Sequence, residues 1–130
     1  MHGSAAIQLK IGDKTMRADL YDTPAAERLR EILPQVISMT RWGEEYYGGC
    51  GISMEAGPGA REEMEIGEIG LWPGGSALCI FFGPTPASRG TEPRAISPVN
   101  PVGRIQGDPE QIAAQLRPLP SSITVQILEE

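Results

Sequence analysis

The sequence predicts one mainly β domain, a small closed barrel of seven or eight strands with two short helices over its ends. Three observations carry that expectation. The 130 residues include 16 Gly and 12 Pro, well above average usage, which favours many short strands joined by tight turns. Apolar residues alternate at period two in several separate stretches. Helical spacing is confined to two short stretches, each opened by a capping residue and a proline. The length points to a single domain over 1–130. A chain of this size buries roughly two-thirds of its unfolded surface, enough for a core without disulfides or metals.

The elements follow in order. Ile7, Leu9 and Ile11 alternate with polar residues, as do Met16, Ala18 and Leu20, and Gly12-Asp13 between them supplies a hairpin turn. Thr23-Pro24 opens a helix whose apolar face carries Ala25, Leu29, Ile32 and Leu33, and Pro34 stops it. Val36 to Met39 resumes a strand, and Arg61 to Ile66 reads as another after the loop 55–60. Ile69 to Trp72 and Ala77 to Phe82 flank the turn Pro73-Gly74-Gly75-Ser76. From Gly83 to Pro101 the chain carries five prolines and little periodicity, the pattern of a long loop. Val102 to Ile105 is a short strand, Asp108-Pro109 starts the second helix, and Ile123, Val125 and Ile127 alternate in a last strand.

Composition narrows function by exclusion. A net charge of −6 argues against nucleic acid, which needs a basic stripe, and against an anionic membrane surface. The chain shows neither an apolar run of spanning length nor a signal peptide, so a cytoplasmic protein is expected. Cys50 and Cys79 stand far apart and read as free thiols of a reducing compartment. His2 is the only histidine, and Met1-His2-Gly3-Ser4 has the look of an expression scar. Ser-His-Asp and Cys-His arrangements therefore lack a base, and neither a cofactor nor a metal site is expected.

Three stretches carry residues suited to binding. In Arg41-Trp42-Gly43-Glu44-Glu45-Tyr46-Tyr47, an extended chain would put Glu44 on one face with Trp42 and Tyr46. A carboxylate between two aromatics is biased toward keeping its proton; the plainer alternative is a glutamate solvated at the rim. Ala77 to Phe82 is apolar on both faces, so one face fills the barrel, while the other is either covered or open as a groove. Gly83-Pro84-Thr85-Pro86-Ala87-Ser88-Arg89 adds two hydroxyls and a guanidinium beside that strand end, or else is a proline-braced turn. The glycines at 67, 70, 74 and 75 match no phosphate-loop spacing. Ser97 to Pro101 reads as loop backbone.

Five stretches, Tyr21 to Ala26, Arg41 to Tyr46, Gly67 to Pro73, Gly83 to Ser88 and Ser97 to Asn100, together resemble small bacterial and archaeal proteins called cyclophilin-like. The resemblance runs from about Ile7 to Leu128 and implies a closed, roughly eight-stranded antiparallel barrel capped by two helices. True cyclophilins are prolyl isomerases in which an arginine contacts the proline amide and phenylalanines hold the ring. By that resemblance Arg41 is the arginine and Phe81-Phe82 the paired phenylalanines. The isomerases' Gln-Gly-Gly-Asp and Phe-His-Arg sequences and their pocket histidine are missing here. The barrel also resembles subunits of bacterial oxoprolinase and allophanate-hydrolase-type complexes, a likeness of fold.

The resulting expectation is a binding module whose groove, lined by Phe82, Trp72 and Tyr46, takes a small molecule or a proline-containing peptide. Arg41, Glu44, Thr85, Ser88 and Arg89 supply its polar anchors. The alternatives are a prolyl isomerase acting through Arg41 and an interaction subunit, including a homo-oligomer.

Overall fold

The computed structural model describes residues 5–130; Met1 to Ser4, with His2, lie outside the described residues. Two strands, β1 (Ala6–Ile11) and β2 (Lys14–Leu20), form the expected hairpin. Helix α1 (Pro24–Ile32) begins where Thr23 Oγ1 accepts a hydrogen bond from the Ala26 amide at 3.2 Å. There follow β3 (Gln35–Arg41), β4 (Glu45–Gly49), β5 (Arg61–Glu63), β6 (Glu68–Trp72) and β7 (Ala77–Phe81). The chain ends with β8 (Arg94–Ile105), helix α2 (Pro109–Leu116), capped by Asp108, and β9 (Ser122–Glu129).

Eight strands close into a ring in the order β2-β1-β9-β3-β4-β7-β6-β8, every pair antiparallel, with β8 returning to β2 through Ala18↔Ile105 and Leu20↔Gly103. The mainly β, eight-stranded expectation is met. Closure leaves no unpaired edge in the ring. Alternate residues such as Leu9, Met39, Ile69, Ile80 and Val125 fill the interior, and α1 and α2 add Leu29, Ile112 and Leu116 to the same core. Fully burying each such side chain is worth ~1.5–3 kcal/mol.

Three strand assignments change, the first being β4, a ring strand not among those expected. The expected loop from Gly83 to Pro101 ends at Pro93, because β8 already begins at Arg94. Pro98 and Pro101 hide its periodicity. They are tolerated because β8 changes partner along its length, from β5 to β6 and β2, with a register shift opposite Pro101 to Gly103. The expected strand Arg61 to Ile66 contracts to β5, a ninth strand that pairs only with β8, outside the ring.

That excursion builds a second layer. Met64 beside β5, and Ala95 and Val99 of β8, pack on the outward side chains of β7, Cys79 and Phe81. The outer face of β7 is therefore covered, the first of the two alternatives the sequence leaves open. The cover lies tight on β6: a Cβ on Gly70 would stand 2.8 Å from Val99 Cγ2.

Candidate functional site

Residues 41–47 are two strand ends joined by a turn. Gly43 sits at φ +61°, the Trp42 amide donates to Glu45 O at 2.8 Å, and Arg41 pairs with Tyr46. A Cβ on Gly43 would stand 2.7 Å from Thr85 Cα, so the turn needs glycine for space and for conformation. Alternation restarts at Glu45. Tyr46 then enters the barrel, while Glu45 and Tyr47 point outward. The turn buries the Glu45 carboxyl, while Glu44 stays partly exposed at the rim, the plainer of the two alternatives the sequence leaves open.

Glu45 is 5% exposed, and its Oε1 is buried without a hydrogen-bond partner. On the adjacent strand Phe81 lies opposite Glu45, and Cys79 opposite Tyr47. Glu45, Tyr47 and Cys79 floor a cavity of about 130 Å³. Trp42 and Trp72 contribute walls, and β8 closes over it with Ala95, Ile96 and Val99. Ile96, 63% exposed, marks the rim. The Trp72 indole N–H donates to Ser97 Oγ at 2.7 Å, tying that wall to the covering strand. Burial pushes the Glu45 carboxyl up to about 7, offset only in part by the Cys79 thiol. Burial, and then the Glu45 charge, holds that thiol well above its ordinary range, so it stays protonated.

A second buried carboxyl shows the contrast. Glu68, 2% exposed, accepts from Arg61 Nη1 at 2.9 Å and Nη2 at 2.7 Å, from the Tyr21 hydroxyl at 2.6 Å and from the Glu65 amide at 2.9 Å. Burial alone would raise it, but these bonds, Arg61's foremost, bring it below the ordinary value. Burial and the bond to Glu68 in turn push the Tyr21 hydroxyl up.

The residues singled out in the sequence fall into three groups. Arg41 donates from Nε to Gly43 O (2.8 Å) and from Nη1 to Arg117 O (2.7 Å), with its guanidinium carbon 5.1 Å from the centre of the Phe82 ring. Phe82 stacks on Tyr46 at 5.4 Å, both are fully buried, and the Tyr46 hydroxyl donates to Pro120 O. Glu44 is held by Arg117 Nε at 3.0 and 3.1 Å. The second group is a braced loop. Thr85 Oγ1 donates to Arg94 O at 2.5 Å, and Ser88 Oγ accepts from the Thr85 amide and donates to Glu92 O. The Arg89 amide donates to Glu92, whose carboxyl is pushed down to about 2 by that bond and by Arg94. Trp72 stands alone in the outer cavity. Tyr46 and Phe82 point inward and Trp72 outward, so these three rings do not line one groove.

Trp42, Glu45, Tyr47 and Cys79, with Ala95, Ile96 and Val99 of β8, are the cavity residues outside the expected site. A glycine two residues after a strand's end, followed by Glu-Glu-Tyr-Tyr, is the signal for a turn and a fresh alternation. Among the described residues no three His, Cys, Asp or Glu side chains gather as a metal site, and no helix is long and apolar enough to cross a membrane.

Comparisons with known proteins bear on this architecture. The family model described as Cyclophilin-like matches residues 5–125. The solution structure of the hypothetical protein AF2241 from Archaeoglobus fulgidus is similar, with 24% sequence identity and a TM-score of 0.75 over 98% of this chain and 95% of that one. That likeness is one of fold. No curated protein matches the chain.

Proposed function

Because the chain belongs to the cyclophilin-like family, we propose that its barrel is a binding module whose site is the outer cavity floored by Glu45. The ligand is a small molecule, or a short peptide, that inserts one compact apolar group carrying a polar head. The observation that supports this reading is the unpartnered Oε1 of a carboxyl only 5% exposed. An unmade hydrogen bond at a buried acceptor costs ~1–3 kcal/mol. The same barrel satisfies Glu68 four times over, so the vacancy at Glu45 is a local choice. An apolar cavity with one converging polar group is the usual make-up of a small-molecule site.

Amide chemical-shift mapping with a set of small aliphatic and aromatic amines, amides and alcohols tests it. Shifts concentrated at Glu45, Tyr47, Cys79 and Trp72 are expected, and they should vanish in Ala95→Trp, which fills the cavity. Shifts concentrated at Arg41 and Arg89 instead would overturn the assignment.

A prolyl-isomerase reading has one observation in its favour, the Arg41 guanidinium above the Phe82 ring. Against it, Phe82 has no exposed surface to hold a proline ring, and two of the Arg41 nitrogens already donate to backbone carbonyls.

A further inference from the structure

Resting on that binding reading, we infer that the group entering the cavity is a small alkylated ammonium that donates an N–H to the Glu45 carboxylate and rests its alkyl groups on the rings of Trp42, Tyr47 and Trp72. The chain has two tryptophans and three tyrosines. Both tryptophans and one tyrosine line this one cavity, and tryptophan faces are the strongest hosts for organic cations. A cation moved into an apolar cavity needs an opposite charge at hand, which Glu45 supplies.

Size agrees. A cavity on the order of 150 Å³ accepts benzene, so about 130 Å³ holds roughly five or six heavy atoms, enough for a dimethylammonium head and its first methylenes. An amide of that size would bring a carbonyl, which the ionised Glu45 carboxylate repels. An alkylammonium brings no acceptor to satisfy. The net charge of −6 favours cations at the surface as well.

Protonation linkage gives the inference a signature. The titratable groups facing Glu45 are the Cys79 thiol of β7 and the Tyr47 hydroxyl of β4; β6 contributes Trp72, and β8 contributes Ala95, Ile96 and Val99, which carry no charge. Glu45, pushed up to about 7, changes charge between pH 6 and 8, while the Cys79 thiol stays protonated. A cation needs the ionised carboxylate, so its affinity rises across that range by roughly tenfold. A neutral ligand that accepts a hydrogen bond from protonated Glu45 shows the opposite trend.

The test titrates the protein with N,N-dimethylethanolamine and with its neutral isostere 3-methyl-1-butanol, following the amide and indole resonances at pH 6 and pH 8. The amine is expected to bind at least tenfold more tightly than the alcohol at pH 8 and to weaken roughly tenfold at pH 6. In Glu45→Gln both the preference and the pH dependence should disappear. If the alcohol binds at this cavity as well as the amine, or if the amine's affinity is flat or falls toward pH 8, the cation inference is wrong while the binding reading stands. If neither compound nor any of the neutral fragments moves a cavity resonance, both fall. A short peptide bearing dimethyl-lysine, compared with the free amine, identifies the source of the head, and tighter binding of either supports the inference.

Discussion

Glu45 and Cys79 stand on neighbouring strands of the barrel wall and face the same cavity, yet the carboxyl keeps one oxygen without a partner. The thiol beside it is itself buried and protonated, a weak donor that cannot replace an amide or a guanidinium. Their position on the outer face, beneath a covering strand, makes the vacancy a property of the second layer and not of the core.

The first prediction concerns pH. The folded Glu45 carboxyl titrates near 7, against 4.5 when exposed. Between those values the folded state binds more protons than the unfolded state, so stability falls as pH rises through the window. Equilibrium unfolding should show wild type losing ground to Glu45→Gln between pH 5 and pH 8, by at most about 3 kcal/mol. A stability difference that does not change over that range would contradict it.

Glu68 should behave in the opposite sense. Its carboxyl is lowered in the fold, so its contribution is present above the ordinary carboxylate range and is lost as pH falls. Removing one donor with Tyr21→Phe should cost about 1–2 kcal/mol at pH 7. That penalty should shrink in acid, as unfolding at pH 3 would reveal.

Gly43 holds the turn that separates Glu44 from Glu45. A side chain there meets the left-handed conformation, at about 1–2 kcal/mol, and the backbone of Thr85 at 2.7 Å. Gly43→Ala should therefore destabilise the protein by about 2 kcal/mol or more. The amide shifts of Trp42 to Tyr47 should move further than those of α1.

Arg41 covers Phe82 and bonds two carbonyls. Arg41→Ala should lower stability by about 1 kcal/mol and leave ligand shifts at Glu45 and Trp72 in place. In a proline-peptide exchange assay neither wild type nor this variant should accelerate isomerisation. Acceleration by wild type that is lost in Arg41→Ala would revive the isomerase reading.

Much of the fold was legible in the sequence because the signals were local. Thr23-Pro24 and Asp108-Pro109 announce both helices, and alternation in Ile7 to Ile11 and Ile123 to Ile127 announces strands. The long strand β8 was hidden because its prolines fall where it changes partners, a fact set by β5, β6 and β2. The site was less legible for a related reason. Treating Arg41 to Tyr47 as one extended run shifts every later residue to the wrong face, and a single glycine in the left-handed region decides the matter. Trp72 lines the cavity, but its neighbours there come from three other strands and the turn before β4.

The most direct test of the account is the ionisation of Glu45 itself, followed by carbon-detected NMR of its carboxyl in the free protein. A midpoint near 7 is predicted, with Cys79 and Tyr47 resonances moving in step. A midpoint at the ordinary value of 4.5 would mean that the carboxyl is already solvated or partnered, and that the cavity holds no vacancy for a ligand to fill.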